Sequence, residues 1–183
     1  MKDQRILVKL IILWLLLSIY VVLHEGGHAL IAILSGNEVT YFSINLLDAH
    51  INYSGGEITN FIKSIINIAG FALPFLLWII FLIFVPKKTG KVIEYFKVYS
   101  FAIIATILPW IVIPILYLSG KAPAGDDTTK FLNNSTLSPW LVSIFFMLLL
   151  VASILLWLKK TNEAKMVFVG KDIPFNLSIK KLS

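Results

Sequence analysis

The chain has 183 residues, 58% of them hydrophobic and 14% charged, and its mean hydropathy is +0.86. A soluble domain averages about 45–50% apolar and about 25% charged residues, so this composition excludes an ordinary soluble fold and points to an integral membrane protein with a few spans. The net charge is +6 without any basic stripe interleaved with aromatics, which argues against a nucleic-acid surface; there is no cysteine, so disulfides and thiolate ligands are excluded and a metal site would have to use His, Asp or Glu.

Four apolar segments, at 6–34, 61–85, 98–118 and 139–158, each reach the ~20 residues needed to cross a hydrocarbon core. The first begins like a secretory signal, but its apolar run far exceeds the ~7–15 residues of a signal core and no small-x-small cleavage site closes it. It is therefore read as a span. Within it lies His24-Glu25-Gly26-Gly27-His28. From Ile6 to His24 a helix rises roughly 27 Å, which puts this cluster near the outer end of the span. Three ionisable residues within five positions of a membrane helix are costly unless they serve a function. Positions i and i+4 share a helical face, so both imidazoles can reach one metal ion, and the intervening Glu can take a proton from a metal-bound water. Gly26 and Gly27 each cost about 1 kcal/mol of helix propensity relative to Ala but let a neighbouring backbone approach; plain helix packing explains them equally well.

From Gly36 to Ile58, β-branched and aromatic residues alternate with polar ones, and Gly55-Gly56 supplies a turn or bulge. This predicts a short β-hairpin or two-stranded ribbon on the outer side, with an ordinary outer loop as the alternative. An exposed edge there could hold an extended peptide by strand addition. The second span contains Asn67-Ile68-Ala69-Gly70-Phe71-Ala72-Leu73-Pro74, a pattern for a tightly packed, kinked helix. The third carries Pro109 and Pro114, tolerated in membrane helices where neighbours satisfy the freed carbonyls. The polar segment 121–138 follows, and in it Asp126 or Asp127 can cap a short helix running through Lys130-Phe131-Leu132. From Lys159 onward charged residues alternate with β-type ones and carry no recognisable chemistry. The fold class expected is an all-α polytopic membrane protein with four transmembrane helices and a short β-hairpin between helices one and two. Residues 1–158 are expected to form a single membrane-embedded domain and 159–183 a basic cytoplasmic tail.

Orientation follows from lysine and arginine. Lys2, Arg5 and Lys9 precede the first span; Lys87, Lys88, Lys91 and Lys97 separate the second from the third; Lys159, Lys160, Lys165, Lys171, Lys180 and Lys181 follow the fourth. These hold 13 of the 16 basic residues, and four spans put all three groups on one side. The other side holds Lys63, Lys121 and Lys130 against Glu38, Asp48, Glu57, Asp126 and Asp127. Both termini are expected to be cytoplasmic.

A catalytic zinc takes three protein ligands and leaves a fourth position for water. His24 and His28 supply two. The third must come from His50, the only other histidine, or from the outer carboxylates Glu38, Asp48, Glu57, Asp126 and Asp127. No third histidine follows in the His-x-x-Gly-x-x-His pattern of soluble metzincins. Asp126 and Asp127 lie on the side where the His-Glu cluster ends its span; they can equally form a solvated turn with a helix cap. His50 can equally be a polar residue of the hairpin.

The run His24-Glu25-Gly26-Gly27-His28-Ala29-Leu30, then Ser35-Gly36, then the β-rich segment ending at Gly55-Gly56, resembles the site-2 protease family of intramembrane zinc metalloproteases. Ala69-Gly70 with Pro74 is a looser echo of that family's Ala-Gly-Pro element. The resemblance covers about residues 20–145, and its specific part is the His-Glu motif in a membrane helix. It implies one Zn2+ per chain held by His24, His28 and one of Asp126 or Asp127, with Glu25 as general base. Asp127 is preferred because Asp126 would then sit at the turn. Two features depart from the family: Gly125-Asp126-Asp127-Thr128-Thr129 stands where an Asn-Pro-x-x-Asp-Gly element is usual, and the lysine distribution puts the site in the outer half. A minimal, divergent member is implied, acting as an endopeptidase on a transmembrane or membrane-adjacent segment of a protein substrate in the bilayer, with no nucleic-acid partner. The competing readings are a catalytically silent metal-binding membrane adaptor and a proton or metal-ion transporter. The absence of an internal repeat counts against the transporter.

Overall fold

A computed structural model describes the backbone at residues 2–45, 48–84 and 90–169 and the side chains at 7–8, 10–45, 48–84 and 98–160. The basic groups at 2–9, 87–97 and 165–181, on which the orientation rests, lie outside the described side chains.

The first helix, α1 (Lys2–Leu34), is followed by strands β1 (Glu38–Ser43) and β2 (His50–Ser54) and then by α2 (Asn60–Phe84). The expected hairpin is present. β1 and β2 pair antiparallel from Glu38 opposite Ser54 to Ser43 opposite His50, with a bulge between Val39 and Tyr41. The expected third span is divided into α3 (Gly90–Ala105) and α4 (Ile107–Leu118). Proline explains the division. Pro109 has no N–H to give the carbonyl of Ala105, so the helix breaks there, and the ring sits in the first turn of α4 where no intrahelical donor is needed. Thr106 at the junction donates its hydroxyl to the Ile103 carbonyl at 2.6 Å. Pro74, by contrast, lies inside a continuous α2. A short helix, α5 (Asp127–Asn134), precedes α6 (Pro139–Val169). α6 carries the fourth span and continues helically to Val169, through the start of the segment expected to be a tail. Once a helix is running, continuing it costs less than starting a new element, so the weak β-type pattern at 166–169 does not break it.

Four helical segments are long and apolar enough to cross a membrane: Leu10–Leu34, Asn60–Phe84, Val98–Leu118 and Pro139–Lys160. By length and composition each of the four can span a bilayer. α1 presents Leu10, Ile11, Trp14, Leu15 and Ile19 outward, as a lipid-facing helix would. α2 packs against α1 on one side and α5 on the other, while α4 packs against α6.

The core is an aromatic knot where α2, α4, α5 and α6 meet. Trp110 stacks on Phe146 with ring centroids 4.8 Å apart and meets Phe131 edge-on at 5.4 Å. Phe71 touches Phe146 edge-on at 5.2 Å. Such offset and edge-to-face pairs add about 0.5–1.5 kcal/mol each beyond the area they bury. Two buried polar side chains pair across helices as well. Trp78 donates its indole N–H to Ser100 at 3.0 Å, and Ser143 donates its hydroxyl to the Ile111 carbonyl at 2.9 Å.

Candidate active site

The site is assembled from α1, α2 and α5. His24, Glu25 and His28 lie on α1, where the i, i+4 spacing brings both imidazoles to one face. That face is pressed against α2 more closely than ordinary side chains allow. A Cβ on Gly27 would collide with the Ala69 backbone, and a Cβ on Gly70 would collide with the His28 ring and lie 2.9 Å from His24 Cε1. Gly27 therefore brings the two helices together, and Gly70 leaves room for the imidazoles between them. Gly26 is different: a Cβ there would meet only Leu73 Cδ2, at an ordinary 3.9 Å.

The imidazoles are oriented from behind. His28 Nδ1 donates to the Ile66 carbonyl of α2 at 2.6 Å, which leaves Nε2 free to face the site. The Tyr20 hydroxyl, one turn back on α1, lies 3.4 Å from His24 Nδ1. Backbone and hydroxyl partners of this kind fix the tautomer and ring angle of a metal-binding imidazole.

Asp127 comes from more than ninety positions away in sequence. Its Oδ2 lies 3.0 Å from His24 Nε2 and 3.1 Å from His28 Nε2, and those two nitrogens are 3.2 Å apart. Its position comes from the start of α5. Asp126 is the N-cap, its carboxylate accepting from the Thr128 backbone N–H at 2.7 Å, and Asp127 is the first helical residue. Phe131, four residues on and so on the same face as Asp127, is buried in the aromatic knot, as is Leu132. Burial alone would raise the Asp127 carboxyl. The hydrogen bonds from His24 and His28, reinforced by their charge, outweigh it and hold the group well below the usual carboxylate range. Lys130, at i+3 on α5, places its ammonium 3.8 Å from the other Asp127 oxygen.

The three donor atoms fit a metal ion. A tetrahedral ion with bonds of about 2.0–2.1 Å requires its donor atoms about 3.3 Å apart, and the observed triangle is within a few tenths of an ångström of that. The tautomer is compatible with this. With one His28 proton committed to Ile66, a neutral ring turns its Nε2 lone pair toward the Asp127 carboxylate at 3.1 Å, a contact that either a second ring proton or a metal cation between them satisfies. Glu25 also offers a carboxylate oxygen within 4.8 Å of the imidazole nitrogens.

Glu25, His28 and Asp127 open onto a cavity of about 420 Å³, lined also by His50, Ile51 and Tyr53 of β2, by Asn67 of α2, and by Asp126 and Lys130. Burial raises the Tyr53 phenol above its ordinary range. The structure thus brings Asp127 to the histidine pair and gives Asp126 to the helix cap. His50 is not in the donor triangle. It opens the β2 strand, its Nδ1 3.3 Å from Asp48 Oδ1, and faces the same cavity. Glu38 lies on β1, and it, Asp48 and Glu57 all fall outside the cavity lining.

Three contributors escape sequence reasoning in different degrees. The Ile66 carbonyl leaves no trace, because any residue would supply the same backbone acceptor. Asn67 stands in a stretch read only for packing. Lys130 carries a visible signal, the i, i+3 spacing from Asp127 on the short helix.

No curated protein and no solved structure matches the chain. A family model described as peptidase M50B-like matches residues 5–118, a stretch that contains His24, Glu25, His28, Asn67 and Gly70 and ends before Asp127. With more than half of its length matched, the chain belongs to the peptidase M50B-like family.

Proposed function

We propose that this chain is a zinc-dependent intramembrane endopeptidase that hydrolyses a peptide bond in or next to a transmembrane segment of a membrane-protein substrate. His24, His28 and Asp127 would hold one Zn2+, which when bound supplies a water acidified to a pKa of about 7 and polarises the scissile carbonyl. The single observation carrying this reading is the convergence of His24 Nε2, His28 Nε2 and Asp127 Oδ2 within 3.2 Å of one another beside a carboxylate, Glu25, that is only 5% exposed. A structural zinc site would be closed by a fourth protein ligand, whereas here the cavity leaves that side open.

Glu25 accepts the proton from the attacking water and delivers it to the leaving amine, so that its carboxylate ends the cycle as it began. β2 runs along the cavity and offers an extended backbone against which an unwound substrate can pair, while Ile51 and Tyr53 give its side chains apolar contact. Residues 1–158 act as one membrane-embedded domain with a basic tail beyond, both termini on the cytoplasmic side.

Zinc stoichiometry and cleavage of a membrane-protein substrate, measured together on purified wild type, Asp126→Ala and Asp127→Ala, test the reading. Wild type and Asp126→Ala are expected to hold one zinc and to cleave; Asp127→Ala is expected to lose both. Zinc retained by Asp127→Ala would move the third ligand to another group, and a zinc-loaded wild type unable to cleave any membrane substrate would favour a silent adaptor.

A further inference from the structure

Asn67 is 9% exposed, and its carboxamide lines the cavity beside Glu25 and His28. Among the described residues no hydrogen-bond partner is found for that side chain. Several polar side chains buried in the helices are paired, Trp78 with Ser100, Ser143 with the Ile111 carbonyl and Ser64 with the Asn60 carbonyl, whereas the Thr129 hydroxyl on α5 is not. Lining the cavity rather than sealed beneath it, the amide keeps access to water there and is free to be offered to a ligand. Its placement is specific. Asn67 follows Ile66, whose carbonyl fixes His28, and precedes by three residues Gly70, against which the imidazoles rest. Residues three apart on a helix have Cβ positions about 5–6 Å from each other, so the carboxamide is within reach of a peptide unit bound over the histidines.

We infer that Asn67 is a further catalytic residue, whose amide N–H donates to the oxygen of the scissile carbonyl as water adds to it. Addition turns the trigonal C=O into a tetrahedral carbon bearing C–O⁻; Glu25 takes the water proton, and Asn67 forms no bond to carbon and neither gains nor loses a proton. The residue is fixed on α2 with most of its surface buried before substrate arrives, and a bound substrate would displace the cavity water beside it; a donor held in place in this way is worth most in the transition state. A neutral amide also suits the place better than a second cation, because it leaves the charge balance around His24, His28 and Asp127 unchanged.

The inference rests on the hydrolase reading, and the test separates the two. Zinc-loaded wild type, Asn67→Leu and Asn67→Asp are compared for zinc content, for kcat and KM on a quenched-fluorescent apolar peptide, and for affinity toward two peptide analogues. One is a phosphinic peptide, whose tetrahedral phosphorus carries the oxyanion; the other has a methylene-amine in place of the scissile amide and carries no oxygen there. Both variants are expected to keep their zinc and to lose about 10²–10³-fold in kcat with little change in KM. Phosphinic-peptide affinity should fall by a comparable factor and methylene-amine affinity should hold. Equal losses toward both analogues, or a kcat within about threefold of wild type, would assign Asn67 to structure and overturn the inference while leaving the hydrolase reading intact. A wild type that holds no zinc and binds neither analogue would overturn both. If Asn67→Leu does not fold, Asn67→Asp, which keeps the shape and loses the donor, decides the matter.

Discussion

At the scale of single residues, the site depends as much on what is missing as on what is present. The imidazoles of His24 and His28 fill the space that a Cβ on Gly70 would occupy, and the Ala69 backbone fills the space beside Gly27. Adding one methyl group should therefore have opposite effects at neighbouring glycines. Gly70→Ala is expected to displace the histidine pair and abolish zinc binding, and Gly27→Ala to push α1 from α2 with the same loss. Gly26→Ala meets only open contact with Leu73 and regains about 1 kcal/mol of helix propensity, so it should bind zinc normally and melt no lower than wild type. Zinc content and thermal stability of the three variants check this in one series. Glu25 is the other residue with an unambiguous expectation. Glu25→Gln keeps volume and burial but removes the base, so hydrolysis should drop to background while zinc stays bound; residual cleavage near wild type would end the general-base assignment. The five-residue motif was legible in the sequence because its spacing alone puts both histidines on one face. The importance of Gly70 was not, since a glycine in a membrane helix says only that something approaches closely, never what.

At the scale of elements, α5 is eight residues long and would not hold a helix unaided in water. It persists because each end of its sequence is tied. Asp126 caps its first turn through the Thr128 N–H, and Phe131 and Leu132 sink into the aromatic knot with Trp110 and Phe146. The two ties should fail differently. Asp126→Ala removes a cap worth about 0.5–2 kcal/mol, lowering stability while leaving Asp127 able to reach the histidines. Phe131→Ala empties a core position at a cost of about 3–5 kcal/mol and frees the face that aims Asp127, so zinc affinity should fall along with stability. Denaturant titrations and zinc affinities of the two variants distinguish a cap from an anchor. The sequence pointed to a short helix through Lys130–Leu132 that Asp126 or Asp127 could cap, since Asp is a favoured N-cap residue. Which aspartate faces the histidine pair is a matter of tertiary packing: the burial of Phe131, four residues from Asp127, and of Leu132 selects the face. The break of the third span at Thr106 was encoded in Pro109, but a proline in a membrane helix is as consistent with a kink as with a break until neighbouring contacts are known.

At the scale of the whole molecule, four candidate crossings and the uneven distribution of lysine predict an orientation that the site would inherit. The loop between the third and fourth crossings carries Asp126, Asp127 and Lys130 and forms α5, so the face bearing that loop is the face toward which His24, Glu25 and His28 and the β1–β2 hairpin are gathered. Thirteen of 16 basic residues fall in the three segments 2–9, 87–97 and 159–181, which four crossings would put on the opposite side. Charges of this sign near span ends are retained in the cytoplasm, so the cavity should open on the non-cytoplasmic side of the membrane. The cysteine-free sequence makes the expectation directly measurable, because any single cysteine introduced is the only thiol. Cysteine at Lys88 or Lys160 should resist a membrane-impermeant maleimide in intact cells and react once the membrane is opened. Cysteine at Lys121 or at Glu57 should react from outside without permeabilisation. The reverse pattern would invert the protein and send the cavity to the cytoplasm, and labelling of Lys88 and Lys160 from opposite sides would contradict an even number of crossings between them and hence the span assignment itself. Orientation matters for chemistry because it decides which flank of a substrate helix reaches Glu25. With the cavity outside, the peptide bond brought over the histidines must lie toward the outer end of the substrate's transmembrane segment, and moving a cleavable apolar stretch from the outer to the inner third of a test substrate should abolish cleavage.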